Sequence, residues 1–519
     1  MSSNIKRLFI ASFVFLSAIS LSIAGMGQIS LTGEYSPAYN GVDDPWHVIP
    51  NLTIGFTAAG TMRVEGGSVV DSDGWSYLGY HAGSSGMATI TGAGTTWDSF
   101  RQITVGFAGN GTMDVEDGAQ VLSGGARIAE FGSSTSIATV TGPGTRWESR
   151  TGIDVGYGGH GRLNISNGGV VEQTGSTVFL GRNASSTGIV KVDGSGSQLN
   201  NNGTLFLGYI GNGDLTIENG GYVYNRNADV ASGSGTTGVA LVTGASSQWI
   251  NDQNLSLGYN GNATLRVEDG GFVYTAWDAF IARNSGRTSS VTVKDAGSEW
   301  DIDRSLYVGG RQFQNGGTGI LNIESGGLVS VADTLKIWSG GTVNVMGGTL
   351  DVGTLQQDGI LNVTGGEIAV DVLTGDFVLD GGTLAPGDSP GLTTIQGDFQ
   401  FDSGTVEIEI GGLLRGTEFD AIDVTGSAIL NGLIDVNLIS GFSPLLGESF
   451  QVLNASSLSG TPTFDFSDAT LASGLAWDTS NFISSGSITV GMAVIPEPSS
   501  FGIVVVVGLG LGLRRRRSS

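Results

Sequence analysis

The chain contains no cysteine and only three histidines among its 519 residues. The absence of cysteine excludes disulfides, thiol catalysis and cysteine-ligated metal, so an exported form must be stable without cross-links. The histidines, His47, His81 and His160, are scattered along the sequence and indicate neither a histidine-based catalytic triad nor a zinc site. Convincing amphipathic helical patterns are also absent, which argues for an all-β protein.

Basic residues are scarce as well. The chain has 23 Lys and Arg against 48 Asp and Glu, a formal net charge of −25. Six of the bases lie at the termini, and without them 17 bases face 48 acids, so the body carries about −31. Such a body does not bind nucleic acid through a basic face. An acidic exterior is compatible with high solubility, with a saline environment or with binding of divalent cations.

Glycine is abundant, with 88 residues, and it recurs at a fixed period. A tetrad of the form apolar-x-apolar-Gly returns every 50 to 52 residues. It ends at Gly55, Gly106, Gly156, Gly208, Gly258 and Gly309. A second marker keeps the same period and comprises Trp97, Trp147, Leu199, Trp249 and Trp300. Alternating Thr, Val, Ile and aromatic residues between the glycines predict β-strands, with two coils of about 25 residues in each 50-residue unit.

The period shortens after Gly309, and this decides between two architectures. Glycine pairs now follow one another at 21, 18 and 16 residues, beginning at Gly326, Gly347, Gly365 and Gly381. A propeller blade needs four strands and cannot contract this far, whereas a solenoid coil can lose its loops and keep its strands. The sequence therefore predicts a continuous parallel β-helix over residues 51–390, right-handed because crossover connections prefer that hand.

The period and its interruptions also predict the domain boundaries. We expect a signal peptide (1–24), an N-terminal cap (25–50), five 50-residue solenoid repeats (51–309), a short-coil solenoid (310–390), a β-rich C-terminal module (391–491) and a C-terminal sorting segment (495–519).

The N-terminus has the order of a secretory signal. Lys6 and Arg7 precede a largely apolar run over residues 8–19, and Ser22-Ile23-Ala24 supplies a small-x-small site with cleavage expected after Ala24. The alternative interpretation is an N-terminal membrane anchor.

The C-terminus has the order of a stop-transfer segment. Pro496, Glu497 and Pro498 precede an apolar run over residues 501–513, predicted to be a short transmembrane helix, and Arg514, Arg515, Arg516 and Arg517 follow it. A run of 13 apolar residues is short for spanning a bilayer, so the expected helix depends on its flanking residues or on local thinning of the bilayer. A simple tail anchor is the alternative.

This tail resembles the PEP-CTERM sorting signal of exosortase substrates. The resemblance implies that an exosortase-type membrane enzyme recognises Pro496–Pro498 and removes the tail. The protein would then be held transiently in the inner membrane by its C-terminal helix before it reaches the cell surface or the extracellular space. In their general sequence pattern, residues 30–490 resemble autotransporter-associated β-strand repeats and the passenger end that follows them. The resemblance supplies no catalytic motif for this sequence.

Two columns of recurring residues are candidate sites. One interpretation of the tryptophan column is a platform that stacks on sugars. Leu199 would break such a platform but is tolerated in a buried column, so packing is favoured. The acidic column comprises Glu65, Glu116, Glu218, Glu268 and Glu324. One interpretation of this column is a row of calcium ligands. Its acids, however, lie at Gly-Gly turns beside Asp117, Asn219 and Asp269, so a role in the turns is favoured. The repeated Gly-x-Gly-x-x-Trp stretches precede no helix and indicate no nucleotide loop.

These observations predict an exported, non-enzymatic structural or adhesion-type β-solenoid of the cell surface or extracellular matrix. The family resemblance implies an association with exopolysaccharide. No cofactor, catalytic residue or nucleic-acid partner is expected. The alternative is a polysaccharide lyase or glycoside hydrolase acting along the solenoid, although no coil gathers the paired carboxylates that such enzymes need.

Overall fold

The computed structural model describes residues 27–175, 177–387 and 390–493. In these residues the chain winds into a right-handed all-β solenoid of about 16 turns with almost no helix. The β-helix predicted from the shortening glycine period is therefore confirmed. Ala24, the Pro-Glu-Pro motif, the predicted C-terminal helix and the arginine cluster lie outside the described residues.

Each coil of the regular part places strands on three faces. Asn110–Glu116 lies on the first face, and Gln120–Ile128 then supplies the second face and, after an irregularity between Ser123 and Gly125, the third. Thr112 pairs with Met87 of the preceding coil and with Ile137 of the next. Partners therefore lie 25 residues apart on both sides, and one 50-residue unit contains two coils.

The first face is a sheet of 14 strands. All its pairs are parallel except the first, in which Gln28–Gly33 runs antiparallel beside Ala59–Glu65. In order, its strands are Gln28–Gly33, Ala59–Glu65, Ser85–Thr91, Asn110–Glu116, Thr135–Thr141, His160–Ser166, Thr187–Asp193, Asn212–Glu218, Thr237–Thr243, Asn262–Glu268, Thr288–Lys294, Thr318–Glu324, Gly341–Met346 and Ile360–Val363.

The remaining long ladders form the second and third faces and, beyond Phe377, the final coils, in which the links between strands are longer. Their strands are Tyr35–Ser36, Trp46–Val48, Leu52–Ile54, Val69–Ser72, Ser76–Leu78, Thr96–Val105, Gln120–Ile128, Arg146–Ser149, Gly152–Val155, Val170–Gln173, Thr177–Leu180, Gln198–Leu207, Tyr222–Val230, Gln248–Asn251, Leu255–Leu257, Phe272–Thr275, Ala279–Ile281, Glu299–Ile302, Leu306–Val308, Leu328–Ile337, Thr349–Gln357, Glu367–Thr374, Phe377–Pro386, Leu392–Gln396, Phe399–Ile410, Ala421–Val424, Ser427–Leu430, Leu433–Leu438, Leu453–Asn454, Ser457–Gly460 and Thr463–Asp465.

The N-terminal end begins earlier than the predicted boundary at residue 51. Trp46–Val48 already pairs in parallel with Val69–Ser72 and so belongs to the first coil. Before it, Tyr35–Ser36 lies antiparallel to Leu52–Ile54, as Gln28–Gly33 does on the first face. Antiparallel strands laid on the first coil occupy edges that would otherwise be free to pair with another chain.

The C-terminal end also differs from the prediction. Parallel pairing continues past residue 390, since Leu392–Gln396 pairs with Ala421–Val424 and Leu433–Leu438 with Thr463–Asp465. The boundary expected at 391 therefore does not end the solenoid: the links lengthen there, but the strands keep their ladder. A three-stranded antiparallel sheet follows (Ser449–Gln451, Ser487–Met492 and Leu475–Asp478), together with a short helix (Phe482–Ser485).

The tryptophan column lies inside the solenoid on the second face. Trp97, Trp147, Leu199, Trp249 and Trp300 are all 0% exposed, which confirms the packing interpretation. A smaller residue separates them in the intervening coils; Val121, for example, pairs with both Trp97 and Trp147. Large and small side chains thus alternate along the core, which lets successive layers fill the available space.

The turns after the first face carry the acidic column. Asp117, Asn219 and Asp269 have φ angles of 56°, 54° and 54°, as the turn interpretation of this column requires. The Gly-x-Gly-x-x-Trp stretches hold neighbouring turns together, since the N–H of Gly118 donates to Oγ1 of Thr145 at 2.8 Å. Across the described ranges, no helix has both the length and the apolar content needed to span a membrane.

Candidate functional site

A row of aromatic side chains follows the outer surface where each third-face strand ends. In the tetrad apolar-x-apolar-Gly the two apolar residues point into the core, so the residue between them points outward. The residue after the glycine extends the same surface around the corner. The aromatic residues in and beside these positions, here named the aromatic row, are Phe56, Tyr77, Tyr80, Phe107, Phe131, Tyr157, Phe179, Phe206, Tyr209, Tyr259, Phe280 and Tyr307.

The glycine of the tetrad brings the row close to the next strand. Gly156 has a φ of 69°, and a Cβ built on it would lie 2.1 Å from the carbonyl oxygen of Thr187. A side chain at this position would clash with the backbone of the next coil. The glycine therefore lets the chain turn sharply, with Tyr157 directly after it on the surface.

The N-terminal part of the row is a continuous platform of rings spanning four coils. The Tyr80 ring stacks on Phe56 at a centroid distance of 5.3 Å and on Phe107 at 4.8 Å. Phe107 meets Phe131 edge to face at 4.9 Å, and Tyr77 meets Tyr80 at 5.1 Å. Phe56 is 44% exposed and Phe131 49%, so the platform is open to solvent at both ends.

In the middle of the row, an ion-pair cluster accompanies the rings. The Arg127 and Arg182 guanidinium carbons lie 4.0 and 5.3 Å from the Tyr157 ring centroid. Both arginines also bind Asp154, with Arg182 Nη1 2.7 Å from Oδ1 and Arg127 Nε 3.4 Å from Oδ2. Burial raises the pKa of Asp154, while the two arginines oppose that shift. Since each charge has a partner, the cluster holds the coils together and leaves no free charge for chemistry.

Farther along, the row continues as stacked pairs. Phe179 stacks on Phe206 at 4.9 Å. Phe280 stacks on Tyr307 at 5.3 Å, and these two residues are only 6% exposed, so this last pair is largely covered. The Arg283 guanidinium lies 4.6 Å from the Phe280 ring centroid. A short hairpin made of Gly310–Arg311 and Gln314–Asn315 borders a cavity of about 480 Å³ beside Phe280 and Arg283.

Exposed rings in a row are suited to binding sugars, because the apolar faces of pyranose rings pack on aromatic faces while polar neighbours bond to hydroxyls. Reasoning from the sequence assigned this possibility to the tryptophan column, which the structure buries, and missed the aromatic row. A signal was present at the same period: the residue after the tetrad glycine is aromatic in Phe56, Phe107, Tyr157, Tyr209 and Tyr259.

The acidic column lies at a different place, at the ends of the first-face strands. Several of its carboxylates pair with bases: Glu65 with Arg63 at 2.7 Å and Glu218 with Lys191 at 2.8 Å. Within the described ranges, no group of three or more His, Cys, Asp and Glu side chains is arranged to hold a metal ion.

No family model matches the chain, and no match to a curated protein was found. Solved structures that align with it include the following two. One is a TibA fragment hyper-glycosylated by TibC, at 18% identity over 75% of this chain and 100% of that one, with a TM-score of 0.33. The other is the Hap adhesin of Haemophilus influenzae, at 11% identity over 85% of this chain, with a TM-score of 0.23. The alignment spans 57% of the Hap chain's length.

Proposed function

We propose that the protein is an exported, non-enzymatic rod of the cell surface or extracellular matrix, of structural or adhesion type, that binds exopolysaccharide along its aromatic row. The observation that carries this proposal is the open platform of Phe56, Tyr80, Phe107 and Phe131, whose rings contact one another across four coils. A rod that repeats one binding position in successive coils can hold an extended polymer through many weak contacts.

The regular core supports this function. Each coil stacks on the next through parallel ladders and a fully buried apolar column, so the surface positions keep a fixed spacing of about 4.8 Å per coil. Rings held on strands and tight turns lose little freedom when a ligand binds. The platform is therefore preorganised for a repetitive ligand.

The proposal includes the export route predicted from the two ends of the sequence. Residues 1–24 would direct secretion, with cleavage after Ala24. Residues 495–519 would hold the protein transiently in the inner membrane until an exosortase-type enzyme acts at Pro496–Pro498. This order delivers the rod to the compartment in which exopolysaccharide is found.

Affinity electrophoresis through gels containing the exopolysaccharide of the native host tests the binding function. The double variant Tyr80→Ala with Phe107→Ala should lose about tenfold or more in apparent affinity, because it removes the centre of the platform. Phe100→Ala is the matched control, since Phe100 is 68% exposed but outside the row. Equal retardation of both variants would contradict the proposal, and release of reducing or unsaturated sugar from the polymer would favour the enzymatic alternative.

A further inference from the structure

One corner of the third face departs from the repeat. The first-face strand starts four residues after the tetrad glycine in the unit of Gly258 and Asn262, but nine residues after it in the unit of Gly309 and Thr318. The additional residues contain the hairpin of Gly310–Arg311 and Gln314–Asn315. Insertions in a solenoid lie in loops on one face, and that face is often the binding face.

The hairpin borders the cavity of about 480 Å³ at the end of the aromatic row. Phe280, stacked on Tyr307, and Arg283 form the solenoid side, whereas Arg311 and Phe313 come from the hairpin. Phe313 is 87% exposed, so its ring faces are free for a ligand. A pocket with an aromatic ring, guanidinium groups and amides has the composition of a site for a small polar molecule.

The two arginines of this cavity differ from most bases of the body. In the part of the chain that the structure describes, neither Arg283 nor Arg311 forms an ion pair with a carboxylate. Arg283 Nη1 donates to Oγ of Ser256 at 3.2 Å, and its buried Nε has no hydrogen-bond partner. Arg311 Nε donates to Oε1 of Gln314 at 3.2 Å.

The arginines at this cavity differ from those in the middle of the aromatic row. There, Arg127 and Arg182 also lie over rings, but Arg127 pairs with Glu130 at 2.7 Å and Arg182 pairs with Asp154 at 2.7 Å. A chain with a net charge of −25 has many carboxylates available, and two of them lie near this cavity. Asp278 lines the cavity and lies 4.0 Å from Arg304, whereas Asp229 interacts electrostatically with Arg283, and Ser256 bonds to both of those residues. Neither Arg283 nor Arg311 bonds a carboxylate directly, so two guanidinium groups at one cavity keep donors for an anion supplied from outside.

We propose that this cavity binds a carboxylate-bearing sugar, a uronic acid unit of an acidic polysaccharide. Arg283 and Arg311 take the carboxylate, and the ring of Phe313 packs against the face of the pyranose. This inference rests on the proposed polysaccharide-binding function and adds to it the class of sugar. It also explains how an acidic rod binds an acidic polymer: the contact is made at two arginines that form no direct ion pair with a carboxylate.

Isothermal titration with trigalacturonate, and with its fully methyl-esterified form, tests the site on the full chain. Trigalacturonate should bind, and the ester should bind about tenfold or more weakly, because esterification removes the charge that the arginines recognise. Arg311→Gln should weaken trigalacturonate binding by a similar factor. Arg162→Gln is the matched control, because it removes one exposed guanidinium from the first face, and it should leave binding unchanged. Far-ultraviolet circular dichroism confirms that each variant is folded.

Three results would overturn the inference: no binding of trigalacturonate, equal binding of acid and ester, or equal effects of Arg311→Gln and Arg162→Gln. Polysaccharide binding along the aromatic row and uronate binding at the hairpin can be contradicted independently. Binding of the host exopolysaccharide that needs Tyr80 and Phe107, together with no binding of trigalacturonate, removes the uronate site alone. Binding of trigalacturonate that needs Arg311, by a protein that does not bind the host polymer, sustains the site and removes the proposed function.

Discussion

The indole Nε1 of Trp147 donates a hydrogen bond of 3.1 Å to the hydroxyl of Ser123, one coil earlier in the buried interior. The same relationship recurs between Trp249 and Asn225 at 2.8 Å and between Trp300 and Thr275 at 3.2 Å. A buried indole N–H left without a partner is costly, and at these three tryptophans a polar residue of the preceding coil accepts its hydrogen bond. Trp97 is the exception, because its buried Nε1 has no hydrogen-bond partner.

Substitutions of Trp147 should separate packing from a surface role. Trp147→Leu copies the residue at position 199 and should cost about 2 kcal/mol, because the smaller side chain leaves space in the core. Trp147→Asp should cost several kcal/mol more, because it places a carboxylate in a fully buried position. Midpoints of thermal unfolding measure the difference, and similar midpoints for the two variants would show that the column is not buried.

The requirement for glycine at the end of the tetrad can be tested by comparing Gly156 with Ala129, which lies at the equivalent position. Ala129 occupies the position of Gly156 one coil earlier, since Ile128 pairs with Val155, and it has a φ of 58°. Gly156→Ala should lower stability by about 2 kcal/mol or more, because the new Cβ meets the Thr187 carbonyl oxygen. Ala129→Gly should change stability by less than about 1 kcal/mol. Denaturant titration of both variants checks this, and a neutral Gly156→Ala would contradict the packing of the corner.

Asp420 should make stability depend on pH. Burial raises the pKa of Asp420 to about 7, although the backbone N–H groups of Glu409 and Gly391 donate to its carboxylate and oppose the shift. In the unfolded chain the pKa of an aspartate side chain is about 3.9. The folded state therefore holds the proton more tightly, and the stabilisation is complete below about pH 4 and is lost as the pH rises through about 7.

The corresponding measurement compares melting temperatures at pH 5 and pH 8. The wild-type protein should lose more stability over this interval than Asp420→Asn, whose side chain does not titrate. The variant should also melt lower at pH 5, since its amide N–H₂ faces a backbone N–H donor. Parallel pH dependences of the two proteins would show that Asp420 titrates normally.

The C-terminal tail gives a prediction about processing. Glu497→Ala should leave a slightly larger, membrane-retained precursor in the native host, because the proposed exosortase-type enzyme would no longer recognise the motif. The wild-type surface protein should lack the tail in mass spectrometry. A surface form that still ends in Arg517-Ser518-Ser519 would instead support a simple tail anchor.

The sequence predicts those features that repeat with every coil or every unit. Strand alternation, the buried position of Trp147 and the turn at Asp117 all follow from a constant pattern. The aromatic row was missed because the outward residue of the tetrad varies, as Arg127 and Asp154 show, and an aromatic recurs reliably only after every second tetrad.

Two further features depend on contacts that no local pattern records. Arg311 of the hairpin and Arg283 of the solenoid line the same cavity at a corner of the fold, and the sequence alone does not place them together. The sequence pattern places the end of the solenoid at residue 391, which is too early, because only the loops between strands lengthen after residue 390. The inward positions of Phe399–Ile410 nevertheless keep the parallel ladder.

Hydroxyl-radical footprinting of the protein with the host exopolysaccharide tests whether the aromatic row binds the polymer. This measurement reports the solvent accessibility of individual side chains with and without the polymer. We predict protection of Phe56, Tyr80, Phe107 and Phe131, with Phe100 as an unprotected internal reference. Protection confined to side chains outside the aromatic row, or no protection at saturating polymer, would contradict it.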